Sequence, residues 1–385
     1  IFPENPFSTR EQATGAHLVI AYKAEQVSIT GQGTIDGNSA AFFETLPPDE
    51  VTTTYRNKSR NFPIAEWRPG QMVLLCRCTD VSVRDVTLIN SPYWTLLLLG
   101  CTGARIRGLS ITNPPQTPNG DGIDIDCCQD VTVSDCIITS GDDSITLRGH
   151  SRLLGEHARP CRNVAISNCV LSTPCNAIRV GVGDGEVRDC TISNILIRES
   201  RTGINFNSAY SERSAHGTRL ENIHFSNITM DVIMPVNMVL GVHAKPPGAI
   251  RNISLSHLNV VAREGLHICG NPGHRVEDIR FADVRLELRG NDVDPQFAGD
   301  APQTAGTMKV PAAFFAREVS GLSVTNLQVR WSDVGDAWRG AVEVVDCDQV
   351  ALTQLDAQAP PARTDAEALR TTGVEGLTIS RLRAH

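Results

Sequence analysis

The motif that decides the fold reads Asp-Val-Thr-Val-Ser-Asp-Cys-Ile at residues 130–137 and Asn-Val-Ala-Ile-Ser-Asn-Cys-Val at residues 163–170. Apolar and polar side chains alternate in both copies, and the apolar ones are mostly β-branched. Looser copies begin near residues 26, 80, 104, 186, 220, 250, 276, 321, 349 and 374. The pattern predicts short strands, of about three to five residues, along most of the chain.

The copies mostly recur about every 23 to 33 residues, which is the length of one coil in a parallel β-solenoid. Gly, Asn and Asp mark the corners between strands, and no stretch has the pattern of a long amphipathic helix. We therefore predict an all-β fold, a single-stranded right-handed parallel β-helix that forms one domain over residues 1–385. No amphipathic cap precedes residue 26, so we expect a cap segment upstream of residue 1.

The twelve cysteines follow the same repeat. Cys136, Cys169 and Cys190 occupy one equivalent position in three copies, and equivalent positions stack in a solenoid. Free, buried, stacked thiols are the favoured interpretation. One or more disulfides remain the alternative.

Composition excludes several classes of function. The formal net charge is −8 and aromatic residues make up 5% of the 385 residues, which argues against a nucleic-acid partner. No apolar run reaches 18 residues, so no membrane span is predicted. No cofactor or metal motif is present, since the cysteine spacing does not match a zinc site. Oligomeric state is left open.

Two acidic turns carry the candidate chemistry. Asp121 lies in Asn-Gly-Asp-Gly-Ile-Asp at residues 119–124, and Asp142 and Asp143 lie in Gly-Asp-Asp-Ser-Ile at residues 141–145. Asp121 and Asp142 are about one coil apart, which brings them about 4.8 Å apart in backbone on one sheet face. Such carboxylates repel, and at least one should hold a proton near neutral pH. Glycoside hydrolysis uses this combination of acid and carboxylate, whereas a turn or a calcium site is the alternative.

At this point the sequence resembles the polygalacturonase-like family 28 glycoside hydrolases, whose fold is the pectin-lyase-like solenoid. The resemblance rests on Ile-Thr-Gly-Gln-Gly-Thr-Ile-Asp-Gly at residues 29–37, Arg-Pro at 68–69, Asn-Ser-Pro-Tyr-Trp at 90–94 and the two acidic turns. It implies an inverting hydrolase of pectin in which Asp142 is the general acid and Asp121 and Asp143 activate water.

Two further family motifs are altered. Asn176 stands where the family has a histidine, and Asn205 and Asn207 stand where it has an arginine and a lysine that hold the substrate carboxylate. An amide can bind hydroxyl groups but provides no charge-assisted pair for a carboxylate. Arg148 and Arg179 are candidate replacements for these lost cations.

Other residues are candidates for substrate contact. Asn119 belongs to the first acidic turn, and Tyr210 follows Asn207 in a polar loop. Trp67 is a further candidate for stacking on sugars, whereas Tyr93 and Trp94 are interpreted as structural. The missing imidazole could come from one of three loop histidines, His150, His157 or His216.

The sequence therefore predicts a glycosidase that cleaves a glycosidic bond in a pectin-like or uronic-acid-containing poly- or oligosaccharide, by inversion and without a cofactor. A hydrolase of another, neutral linkage is one alternative, and a non-catalytic carbohydrate-binding or adhesion solenoid is a second. Secretion or periplasmic location is expected, with a cytoplasmic location for an oligosaccharide-specific enzyme.

Overall fold

The computed structural model describes residues 13–51, 61–208, 216–241, 248–290, 310–361 and 364–384. Its strands pair in parallel register, as the sequence predicts for a right-handed parallel β-helix. Two compact units are present. The first comprises the chain up to Arg179 with Gly185–Cys190 and Ile195–Arg201, and the second comprises Val180–Asp184, Thr191–Asn194 and the chain from Thr202 onward.

In the first unit, each coil contributes three strands. Each strand pairs in parallel with the equivalent strand of the neighbouring coil, so that three ladders form. One ladder carries the two acidic turns. It consists of β1 Val19–Tyr22, β4 Val73–Cys76, β7 Leu96–Leu99, β10 Ile123–Asp126 and β13 Ile145–Gly149. The other strands are β2 Ser28–Thr30, β3 Thr34–Asp36, β5 Thr79–Arg84, β6 Thr87–Ile89, β8 Thr102–Arg107, β9 Ser110–Thr112, β11 Gln129–Ser134, β12 Ile137–Thr139 and β14 Cys161–Ser172. A single short helix, α1 Ser151–Leu154, follows β13 in this described part of the chain.

Two strands contain residues of both units, β15 Asn176–Gly183 and β16 Glu186–Asn207. The remaining strands belong to the second unit and also pair in parallel. They are β17 Arg219–Val239, β18 Ala249–Ala262, β19 Leu266–Cys269, β20 Val276–Arg289, β21 Ala312–Arg317, β22 Val319–Ser332, β23 Gly340–Val345, β24 Ala351–Ala357, β25 Glu367–Thr372, β26 Thr378–Ser380 and β27 Arg383–Ala384. Short 3-10 turns occur at Ser39–Phe42, Pro48–Glu50 and Gly155–His157.

Several strands are longer than the sequence predicts, and the corner residues explain why. Asn168 lies inside β14 and has a φ of 56°, and Asn194 and Asn227 have the same left-handed backbone. One such residue turns the chain by itself, because the short polar side chain of Asn tolerates this region. The Asn227 side chain donates to Asn194 at 2.8 Å, so these two residues form a polar ladder at the turn. Pairing thus continues around the corner.

The core is a stack of identical positions from successive coils. Val81, Ala104, Val131 and Val164 succeed one another in register and are all buried. All twelve cysteines are free, and all except the half-buried Cys175 are buried. The part of the favoured interpretation that expects free, buried thiols is confirmed. Among the described residues, none of the helices is long and apolar enough to cross a membrane.

Candidate active site

The two acidic turns lie side by side at the start of neighbouring strands. Strands β10 and β13 pair with Ile123 opposite Ile145. The Gly141 amide donates to Gly120 at 2.9 Å, and the Gly122 amide donates to Asp143 at 2.9 Å. A side chain at Gly141 would place its Cβ 2.6 Å from the Thr117 carbonyl oxygen, so the close approach of the turns requires glycine there. Asp121, Asp142 and Asp143 are thereby brought together.

Asp143 is buried, and both of its carboxylate oxygens accept hydrogen bonds. Its Oδ1 accepts a hydrogen bond from Asn176 Nδ2 at 2.5 Å, and its Oδ2 accepts one from Arg179 Nη1 at 3.0 Å. Burial favours the neutral form, but the Arg179 charge and the Asn176 hydrogen bond outweigh it and hold the pKa of Asp143 below its usual range. Asp143 is therefore an ionised carboxylate, and both Asn176 and Arg179 contact it directly.

Asp121 has the opposite electrostatic character. Burial raises its pKa well above the usual range, and the neighbouring charges of Asp124 and Asp142 add to this effect. Its Oδ2 accepts from Arg148 Nη2 at 3.2 Å, whereas its buried Oδ1 has no hydrogen-bond partner in the described structure. A carboxyl group in this state binds a proton readily and becomes a stronger base when it is ionised.

Arg148 joins this site to a second buried carboxylate. Its Nε donates to Asp124 at 2.7 Å, and its guanidinium lies 4.1 Å from the centre of the Trp94 ring. Burial raises the pKa of Asp124 to about 7, against the opposing attraction of Arg148. The arginine thus lies between two carboxylates and over an aromatic face, in a setting where unpaired charge is costly.

Asp142 is the one carboxylate of the three that is partly exposed. Its Oδ1 accepts the Asp143 amide at 3.0 Å. One oxygen of Asp142, one of Asp143 and the Cys175 sulfur lie within 4.8 Å of one another, which is a possible metal-ligand group. Burial, followed by the charges of Asp142 and Asp143, raises the pKa of Cys175 well above its usual range, which favours the thiol over a metal-binding thiolate. The absence of a bound metal in the active protein stays a prediction.

Asp126, at the end of β10, is hydrogen-bonded to a buried histidine that follows β13. Asp126 accepts the His150 amide at 2.9 Å and His150 Nδ1 at 2.7 Å. Burial by itself would raise the pKa of Asp126, but the contacts with His150 outweigh this effect and hold that pKa below its usual range. His157 and His216, the other loop histidines considered, are exposed.

Asn119 is held in place by a buried arginine. Arg68 Nη2 donates to Asn119 Oδ1 at 2.8 Å, and Arg68 Nη1 donates to the carbonyls of Pro92 at 3.1 Å and Pro118. Asn119 itself has a φ of 53°. Arg68 and Asn119 therefore fix the turn that leads into Asp121, a role that the sequence motif Arg-Pro did not reveal.

Trp67 lies in the first unit with its side chain 47% exposed, whereas the other remaining candidates lie in the second unit or outside the described part. Asn205 Oδ1 accepts from Asn237 Nδ2 at 3.0 Å, and both side chains are buried, as is Asn207. Tyr210 lies outside the described residues. Tyr93 and Trp94 are buried and stacked on each other at 5.3 Å, in agreement with their structural interpretation.

Sequence reasoning missed Asp124 and Asp126 as members of the site. Both occur in the alternating stretch Ile123-Asp124-Ile125-Asp126, in which polar residues ordinarily indicate a solvated face. The structure buries both carboxylates completely. Two acidic residues at the polar positions of one strand, next to Asp121, were the available signal.

Comparison with known proteins identifies the family. The family model for glycosyl hydrolases family 28 matches residues 2–243. A probable polygalacturonase of Vitis vinifera is 25% identical over 228 residues, which is 57% of this chain and 43% of that protein. Polygalacturonase QRT2 of Arabidopsis thaliana is 21% identical over 317 residues, which is 75% of this chain and 67% of that protein. The match to the Vitis relative thus spans less than half of that relative's length.

Solved structures share the fold. An exopolygalacturonase from Thermotoga maritima superimposes with a TM-score of 0.58 at 20% identity, covering 82% of this chain and 72% of that one. A family 28 exopolygalacturonase from Yersinia enterocolitica gives a TM-score of 0.52 at 16% identity, covering 92% and 59%. These likenesses support the parallel β-helix. With the family model matching well over half of its residues, the chain belongs to glycosyl hydrolase family 28.

Proposed function

We propose that the protein hydrolyses a glycosidic bond in a pectin-type, uronic-acid-containing poly- or oligosaccharide, with inversion at the anomeric carbon. The observation that carries the proposal is the grouping of three carboxylates, Asp121, Asp142 and Asp143, in which the pKa of Asp121 is raised and that of Asp143 is lowered. Carboxyl groups whose surroundings separate their pKa values are the ordinary equipment for acid–base hydrolysis of sugars.

The proposed roles follow from exposure and charge. Asp142 is the accessible member and is assigned the general acid, because a glycosidic oxygen can reach it. Asp143 stays ionised beside Arg179, and Asp121 has a raised pKa that makes its ionised form a good proton acceptor. These two are assigned to the attacking water.

The short spacing between Asp142 and Asp143 argues against Asp143 as the principal base. An oxygen of Asp142 lies within 4.8 Å of one of Asp143. Inverting enzymes leave about 6.5–9.5 Å between acid and base so that water fits, whereas retaining pairs are about 5–5.5 Å apart. We therefore pair Asp142 with Asp121 and assign Asp143 to holding the water. Direct attack by Asp143 would give retention, so the product anomer separates the two mechanisms.

The substrate class is supported by the relatives and by one cation beside the carboxylates. The relatives are named as polygalacturonases, and a uronic acid needs a positive partner. Arg148 donates to Asp124 through Nε and to Asp121 through Nη2, so its guanidinium lies beside the acidic turns. We assign this guanidinium to a sugar carboxylate.

A neutral glycan is the second candidate, and the asparagines favour it. Asn176 is committed to Asp143, and Asn205 forms an amide pair with Asn237. None of these side chains carries the charge that a galacturonate would require at those positions. Such a substrate would be hydrolysed by the same three aspartates.

A panel of polygalacturonan, rhamnogalacturonan and neutral oligosaccharides tests the proposal, with reducing ends measured as the product. We expect release from at least one uronic-acid-containing substrate and loss of about 10²–10⁴-fold in rate for Asp142→Asn. Asp135→Asn, at an exposed acid of the same unit, is the matched control and should be unchanged. Binding of a glycan without any release by the wild-type protein would favour the adhesion alternative and overturn the proposal. Because pectin lies outside cells, we also propose that the protein is exported.

A further inference from the structure

An exposed tryptophan, Trp67, packs on the partly buried Phe42 and differs from the buried tryptophans of the protein. The Trp67 side chain is 47% exposed, whereas Trp94 and Trp338 are buried. Its ring packs against Phe42, with centroids 5.7 Å apart and planes at 53°. A large half-exposed ring that is fixed on one side leaves its other face available for a ligand.

The segment that carries this pair is braced from two directions. Phe43 and Ile64 form an antiparallel bridge, and the Ala65 amide donates to the Phe42 carbonyl at 3.1 Å. The rings of Phe43 and Phe62 lie 6.2 Å apart. The exposed Trp67 ring and the partly buried Phe42 ring therefore belong to an ordered two-segment structure.

The same segment is attached to the turn that precedes Asp121. The Phe62 amide donates to the Gln116 carbonyl at 2.9 Å. Arg68 follows Trp67 directly, about 3.8 Å away between Cα atoms, and donates to Asn119 at 2.8 Å. The Arg68 side chain thus spans the gap between the Trp67 backbone and the acidic turn. A short oligosaccharide is long enough to cross that gap.

We propose that Trp67 and Phe42 form a sugar-stacking subsite, in which the C–H face of a pyranose ring packs on the Trp67 indole. The occupant is a sugar residue of the same chain whose glycosidic bond reaches Asp142, so this inference rests on the proposed function. An aromatic face binds a pyranose through its apolar side and tolerates a neutral or a uronic sugar. The subsite therefore contributes to recognition of chain length and leaves the charge of the sugar to other groups.

The test compares Trp67→Ala and Trp67→Phe with the wild-type protein on galacturonate and rhamnogalacturonan oligosaccharides from two to six sugars. We expect KM for the longest substrate to rise about threefold to tenfold in Trp67→Ala, with kcat unchanged. Trp67→Phe should lie between the two proteins, and KM for the disaccharide should stay constant. Ile137→Ala, which removes an exposed apolar side chain on another face of the same unit, is the matched control.

A second readout keeps binding separate from turnover. In an Asp142→Asn background, which preserves the ligand, the same oligosaccharides should quench tryptophan fluorescence, and Trp67→Phe should abolish that quenching. Equal KM values at every chain length together with unchanged quenching would overturn the subsite. If the wild-type protein releases no product while quenching still depends on Trp67, the hydrolytic proposal fails and the subsite stands.

Discussion

Replacing Arg148 by Met should destabilise the protein in a way that depends on pH. Met retains the length of the side chain and much of its packing against Trp94 but removes the charge between Asp121 and Asp124. The Arg148, Asp121 and Asp124 side chains are only 6%, 3% and 0% exposed, so solvent cannot replace the lost cation. Removing one partner of such a buried pair costs about 3–5 kcal/mol.

The pH dependence follows from the direction of the pKa shifts. Asp124 has a pKa of about 7 in the folded protein, above the ordinary value of about 3.9 for an aspartate. The folded state therefore binds the proton more tightly, and its stability falls as pH rises from about 4 to 7. Without Arg148 the pKa of Asp124 rises further, and the fall continues above pH 7. The deficit of Arg148→Met should be larger at pH 8 than at pH 5.

Urea unfolding followed by far-ultraviolet circular dichroism at pH 5 and pH 8 measures the free energy of unfolding that is lost and the dependence of that loss on pH. Arg107→Met is the control, because its ion pair with Asp135 is exposed and screened by solvent. We expect little change for that variant at either pH. A loss for Arg148→Met that is no larger than for Arg107→Met, or that is equal at the two pH values, would refute the assignment of Arg148 as the cation that makes this buried cluster stable.

Three further predictions concern neighbouring groups. Asp126→Asn should lower the free energy of unfolding at pH 7 and have less effect near pH 3. The pKa of Asp126 is depressed, so its contribution is complete above about pH 4 and is lost as pH falls through its folded pKa. Asn176→Ala removes a hydrogen bond to the Asp143 carboxylate and should reduce kcat/KM roughly tenfold or more, with Asn176→His recovering part of the loss. Dialysis against EDTA should leave the rate unchanged, since no metal is predicted.

Each of these has a clear contrary result. Equal destabilisation by Asp126→Asn at pH 3 and pH 7 would mean that its pairing with His150 does not depress the Asp126 pKa. Full activity in Asn176→Ala would remove Asn176 from the positioning of Asp143. Loss of activity on chelation, with recovery on adding one divalent cation, would point to the group formed by Asp142, Asp143 and Cys175.

The parts of the fold that repeat could be predicted from the sequence. Alternating Val and Ile residues fixed the strands, because side chains in a strand alternate between two faces and the same pattern returned coil after coil. The spacing of Asp121 and Asp142 placed them on adjacent coils, which the hydrogen bonds between their turns confirm. The long strands could not be foreseen, since a single left-handed Asn such as Asn168 turns the chain without ending the pairing.

The electrostatic partners in the site were harder to predict. Arg148 and Arg179 were placed near the carboxylates, but an exposed position is the ordinary expectation for arginine. The structure instead buries both and directs them at Asp121, Asp124 and Asp143. Whether a polar strand face is solvated or covered depends on segments distant in sequence, such as the one carrying Trp94. Periodicity within one strand does not contain that information.

The most direct test of the central claim is the anomeric configuration of the first product. Proton NMR during digestion of a uronic-acid-containing oligosaccharide identifies the anomer before mutarotation, for the wild-type protein and for Asp142→Asn. We expect product of inverted configuration from the wild-type protein and a strongly reduced rate of release for Asp142→Asn. Retained configuration, or an Asp142→Asn variant as fast as the wild type, would contradict the proposed roles of Asp121, Asp142 and Asp143.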